Sequence, residues 1–135
     1  MTSSPGEASD GAVKAPVRSW LRLEGLALAL AALWGFWMLG GSWWQLLVLA
    51  LAPDLSFLAY LAGPRVGAAV YNLAHTYLFP VLLAAAGFWL WLPLLTHAAL
   101  IWIIHIGADR ALGYGLKYPD AFTSTHLGKI GRASL

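Results

Sequence analysis

The chain contains no cysteine, which excludes disulfides, thiolate metal ligands and cysteine nucleophiles. Charge is scarce as well. Only 10% of its 135 residues are Asp, Glu, Lys or Arg, against about 25% in an ordinary soluble domain. The pI near 9.2 does not point to nucleic acid, because no run of basic residues interleaves with aromatics. A signal peptide is not expected either. Glu7 and Asp10 stand where a basic region belongs, and no small-residue cleavage site follows the first apolar run.

What the chain has is apolar sequence, 60% of it hydrophobic with a mean hydropathy of +0.70. Four apolar runs, at 20–39, 43–62, 66–89 and 92–112, each approach the roughly 20 residues that cross a hydrocarbon core as a helix. Their links are short, which makes consecutive helices antiparallel. The expected fold is all-α: an integral membrane, antiparallel bundle of four transmembrane helices. Lys14, Arg18, Arg22, Arg65, Arg110, Lys117, Lys129 and Arg132 all fall on one side of such a bundle, so both termini are expected in the cytoplasm. Three regions follow: a disordered polar tail at 1–19, the transmembrane domain at 20–112, and a cytoplasmic C-terminal segment at 113–135. Trp43, Trp44, Trp89 and Trp91 mark the outer interface, and Trp20, Tyr114 and Tyr118 the inner one. Small residues at four-residue spacing, Ala27/Ala31/Gly35 and Gly63/Gly67, are candidates for close helix contact.

Several residues do not belong in lipid. Glu24, Asp54, Asn72, His75, His105 and Asp109 all fall in the cytoplasmic half when depth is counted at about 1.5 Å per residue. Charged groups at such depth face the bundle or a wet cavity. His105 and Asp109 stack at i and i+4, a spacing that lets both reach one metal ion or lets the carboxylate orient the imidazole. Carboxylates and imidazoles converging in a helical bundle suit Zn²⁺, Mn²⁺ or Fe²⁺. Asp54, His75, His105 and Asp109 are the expected ligands, and Glu24 a ligand or general base. Each has a plainer alternative. Glu24 can serve the positive helix N-terminus or pair with Arg18 or Arg22. Asp54 can cap a helix broken at Pro53. His75 can be a buried hydrogen-bonded ring, and His105 and Asp109 a structural pair. His97 lies in the outer third, and His126 beside a turn.

The stretches "RLEG", "APDLSFLAYLAGPRVGAAVYNLAHTY" and "GADRALGYGLKYPDAFTSTHLGKIG" resemble the bacterial membrane family catalogued as domain of unknown function 4260. The resemblance spans about 22–131 and implies a bacterial inner-membrane, multi-pass protein without an assigned activity. It also implies that Lys117 and His126 belong to a signature that folds back under the mouth of the bundle. Pro53-Asp54, His75-Thr76 and His105 with Asp109 are similar in order to the YdjM-type membrane-bound metal-dependent hydrolases, although the second Asp after Pro-Asp and the His-Arg-Gly are absent.

These readings support three functions. The first is a metal-dependent membrane hydrolase acting on a lipid or amphiphile, with Arg65 and Lys117 at the mouth holding a phosphate head group. The second is a proton- or ion-conducting protein, expected as a homo-oligomer, in which His97 joins a relay. The third is a structural accessory subunit.

Overall fold

A computed structural model of the chain describes residues 12–120 and 122–130. The structure is all-α apart from one small hairpin. Helix α1 is Val17–Met38, α2 is Trp43–Leu49, α3 is Pro64–His75, α4 is Leu78–Trp89 and α5 is Pro93–Leu112. A 3₁₀ segment, Ala52–Ala62, joins α2 to α3. Strands β1, Ser124–Thr125, and β2, Gly128–Lys129, pair antiparallel beyond α5. Three stretches are long and apolar enough to cross a bilayer: Val17–Met38, Trp43–Ala62 and Pro64–Trp89. Helix α5 has 20 residues but is not among them. His97, His105, Asp109 and Arg110 dilute its apolar character.

The second and third apolar runs were expected as continuous helices, and both are broken. Proline explains both positions. Its ring clashes with the carbonyl four residues upstream and it offers no N–H to that carbonyl. Pro53 faces Leu49, where α2 ends. Pro80 faces Thr76, just beyond the end of α3 at His75. Beyond the first break the chain winds in 3₁₀ fashion, with Asp54 N–H donating to Leu51 O at 3.0 Å. An 11-residue 3₁₀ stretch is far longer than the three or four residues usual for that geometry.

Helix α5 is central and packs on α1, α4 and α2, while the 3₁₀ segment lies along α3. The α1–α5 seam is built on Gly25, Ala29, Ala32 and Phe36, the buried residues of α1. The expected stripe of Ala27, Ala31 and Gly35 instead leaves both alanines exposed. Of the Gly63/Gly67 pair, Gly67 makes a close contact, against the ring of Tyr60, while Gly63 has nothing within 4 Å of where a Cβ would stand.

Residues 1–11 of the expected tail and 131–135 of the C-terminal segment lie outside the described residues. The described part of the tail is tied down: Val13 N–H donates to His126 O at 2.8 Å, and α1 begins at Val17. Gly113, in the left-handed region at φ 93, ends α5 and turns the chain back beneath α3.

Candidate metal centre

The two proline breaks supply the site. Each frees backbone carbonyls inside an apolar bundle, where an unsatisfied carbonyl costs several kcal/mol or so. Side chains of α5 satisfy them. His105 Nδ1–H donates to Ala50 O at 2.5 Å, beside the first break. Trp102 Nε1–H donates to Ala74 O at 2.6 Å, and Arg110 Nη2 donates to His75 O at 3.1 Å, at the second. One face of α5 therefore stitches both broken helices together.

The same stitching orients the imidazoles. His75 Nδ1–H donates to Tyr71 O at 2.9 Å, and the Tyr71 ring stacks on His75 with centroids 3.7 Å apart. With both Nδ1 atoms committed as donors to carbonyls, both Nε2 atoms present lone pairs, because the partner of one ring nitrogen fixes the role of the other. These lone pairs converge. His75 Nε2 lies 3.2 Å from His105 Nε2 and 3.2 Å from Asp54 Oδ1. It is 3.5 Å from Asp109 Oδ2. His105 Nε2 lies 3.2 Å from both carboxylates. Four acceptor atoms from three helical segments thus share one point, all within 4.8 Å of one another. The imidazoles are buried, with side chains 3% and 8% exposed, and Asp54 is the most open member at 35%.

The other expected site residues are placed differently. Glu24 is exposed on α1 and makes no hydrogen bond or ion pair with the four, so the expectation that it faces the interior near Asp109 is corrected. The buried stripe begins at its neighbour Gly25, about 100° around the helix. Asn72 is not a member of the cluster either. Its side-chain amide clamps the backbone of Lys117, donating to Lys117 O at 2.8 Å and accepting from Lys117 N–H at 2.7 Å. Arg65 is exposed in the first turn of α3.

Lys117 is not free for a head group. It is 3% exposed, and its ammonium donates to Phe122 O at 2.9 Å. Four rings surround it: Phe122 at 3.0 Å, Tyr71 at 4.7 Å, Phe57 at 5.0 Å and Tyr60 at 5.5 Å from ring centroids. Such rings attract a cation, while burial opposes it. Burial lowers the Lys117 pKa to about 8 from an ordinary 10.5, with Asp109 and Asp54 pulling it back up. A base with a depressed folded pKa destabilises the fold fully below that pKa, and the penalty disappears as pH rises to the unfolded value. Stability is therefore expected to increase between pH about 8 and 10.5. Chemical denaturation across that range should show the rise, and Lys117→Met should remove it.

His126 completes the fold-back. Arg110 Nη1 donates to its Nε2 at 2.9 Å, and Leu116 N–H approaches its Nδ1 at 2.9 Å. A protonated ring would set a proton against each donor. Burial, then the neighbouring Arg110 charge, lowers its pKa, partly offset by the Leu116 contact. Trp102 and Tyr71 were not anticipated as partners of the cluster. The prolines were the available signal, since each freed carbonyl demands a donor.

The fold and the cluster together define a class: an all-α membrane protein with a His/Asp centre at the junction of two broken helices. The chain belongs to the family described as Domain of unknown function (DUF4260), whose model matches residues 18–130. No curated protein and no solved structure matches it. The likeness to the YdjM-type hydrolases is not shown by these comparisons.

Proposed function

We propose that this is an integral membrane metal-binding protein in which Asp54, His75, His105 and Asp109 hold one divalent cation. The observation that carries the reading is the convergence of two imidazole lone pairs and two carboxylate oxygens with no donor between them. Four acceptors at van der Waals range repel one another unless a cation sits among them. The spacing also suits a particular ion. A tetrahedral Zn²⁺ with ligands at about 2.0–2.1 Å has ligand–ligand edges of about 3.3 Å, and five of the six edges here measure 3.2–3.5 Å. Zn²⁺ is the first candidate, with Mn²⁺ and Fe²⁺ next.

The donor set bears on what the cation does. Four protein ligands close a tetrahedron, whereas hydrolytic centres keep a position open for water. Opening one requires a ligand to leave, and Asp54 is the most exposed. The expected base, Glu24, is exposed and makes no hydrogen bond or ion pair with the four ligands. Hydrolysis of a lipid or amphiphile is therefore the lesser reading. Broken helices meeting at an ion site favour cation or proton passage as the second reading, with a homo-oligomer completing the pathway.

For topology we infer four spans in a bacterial cell membrane with both termini cytoplasmic. In support, the start of α1 and the segment after α5 are tied together by Val13–His126 and by Arg22 Nε–H donating to Ala111 O at 2.9 Å. Arg18 and Arg22 of α1 thus lie at the same end as Arg110 and Lys117.

Elemental analysis of the purified protein tests the metal reading. About one divalent metal per chain is expected, and Glu24→Gln should retain it. Protein that binds no divalent ion at micromolar concentration would leave the relay reading.

A further inference from the structure

A crevice of about 300 Å³ opens between the start of α1 and the end of α5, lined by Ser19, Arg22, Leu23, Leu26 and Ala111. Its four α1 residues stand at i, i+3, i+4 and i+7, so they share one face. Their chemistry is graded along that face. Ser19 and Arg22 make the end nearest the helix start. Leu23 and Leu26, both exposed, carry the crevice on towards the middle of the span, over roughly 10 Å of helix in all. Trp20 marks the interface at the level of the polar end.

Arg22 is held in place but not neutralised. Its Nε–H donates to Ala111 O at 2.9 Å, on the opposite wall of the crevice. The side chain is exposed, and its terminal nitrogens have no hydrogen-bond or ion-pair partner among the described residues. Fixing Nε leaves the edge formed by Nη1 and Nη2, a parallel pair of donors that matches a phosphate. Arg18 stands one turn away on α1. Its guanidinium lies beside the hairpin, where a Cβ on Gly128 would stand 3.5 Å from Nη1. Glu24 does not oppose these charges from the same face, because it lies about 200° around the helix from Arg22.

We propose that this crevice binds an anionic phospholipid, its phosphate on Arg22 and Ser19 and its first chain carbons against Leu23 and Leu26. The volume takes that part of the lipid and leaves the remainder in the bilayer. A soluble anion would pair with Arg22 but leave the leucines uncovered. Hydrocarbon alone would leave the guanidinium unpaired. A phospholipid meets both ends in the order in which they follow one another across the membrane, and the second positive charge at Arg18 favours a net negative head group over a zwitterionic one. Basic pockets between helices at a cytoplasmic face are where such head groups dock. The site is independent of the metal centre, since none of its lining residues is a ligand.

The test is a competition between phosphatidylglycerol and phosphatidylcholine of identical chains for the full-length protein in detergent, with retained lipid counted by native mass spectrometry. Phosphatidylglycerol is expected to be preferred roughly fivefold, the order of one basic residue near an anionic surface. Arg22→Gln, whose amide can still donate to Ala111 O, should bring the ratio close to one. Ser19→Glu should do the same with every arginine in place, because its carboxylate pairs with Arg22 at i, i+3. An acid in the first turn also suits the helix N-terminus, so that variant is expected to fold. Arg65→Gln, which removes an exposed arginine of α3, should leave the preference intact. A wild-type ratio near one overturns the proposal. So does an equal fall in Arg65→Gln, the mark of diffuse attraction. Displacement of the lipid by millimolar inorganic phosphate overturns it too, since the site would then be one for the free anion.

Discussion

His105→Ala is expected to strip the protein of stoichiometric metal and to remove any stabilisation that metal confers. His105 makes three of the five measured edges of the cluster, each 3.2 Å. It also satisfies Ala50 O at the first helix break. The substitution therefore acts twice. A lost ligand lowers affinity, and an orphaned buried carbonyl costs about 1–3 kcal/mol on its own. The two effects separate with chelator. Wild-type protein at free metal a hundredfold above its Kd gains about 2.7 kcal/mol, so chelation should lower its Tm, while the Tm of His105→Ala should be lower throughout and insensitive to chelator. Asp54→Asn is the graded comparison. Asp54 is the most exposed ligand, and its loss should weaken metal binding with less damage to the fold. One equivalent of metal retained in both His105→Ala and His75→Ala would remove the centre from the account.

The residues of the cluster differ in how far the sequence alone places them. His105 and Asp109 were legible because i, i+4 spacing fixes a shared face. Asp54 was legible as an acid beside a helix-breaking proline. His75 fell in place by depth. What failed was the choice of face on α1. In a membrane helix the lipid side is as apolar as the core, so hydropathy does not distinguish them. Size does, but two small-residue stripes compete on α1, and the one used is Gly25, Ala29 and Ala32. Glu24 was placed by depth, which fixes its level on α1 but not its face. The break at Thr76 was readable from Pro80, four residues on. The ring cage around Lys117 was not, because its members come from positions 57, 60, 71 and 122 and only tertiary contact assembles them.

That seam on α1 gives the second large effect. Gly107 lies between His105 and Asp109 on α5, on the side that meets α1. A Cβ placed there would stand 2.5 Å from Gly25 O and 2.9 Å from Ala29 N and Cβ. From the opposite direction, a Cβ on Gly25 would collide with Arg110 Cβ. The obstacles are backbone and Cβ atoms, which no side-chain rotation relieves. Overpacking ordinarily costs about 1–3 kcal/mol, and Gly107→Val adds three carbons against a rigid neighbour, so at least about 3 kcal/mol is expected. The consequence reaches the centre. If α5 backs away from α1, His105 and Asp109 move together relative to Asp54 and His75, and the edges across the two pairs change while the edge within α5 does not. Metal affinity should fall together with Tm, although no ligand has been altered. Gly35→Ala supplies the control on the same helix pair. A Cβ there meets only Leu100 Cδ1, at 4.0 Å, and alanine favours the helix by about 1 kcal/mol over glycine. Gly35→Ala should hold or raise the Tm and keep full metal content. Thermal unfolding and metal analysis of the two variants side by side check this, and a Gly107→Val protein as stable as Gly35→Ala would mean that α1 and α5 do not meet along this seam.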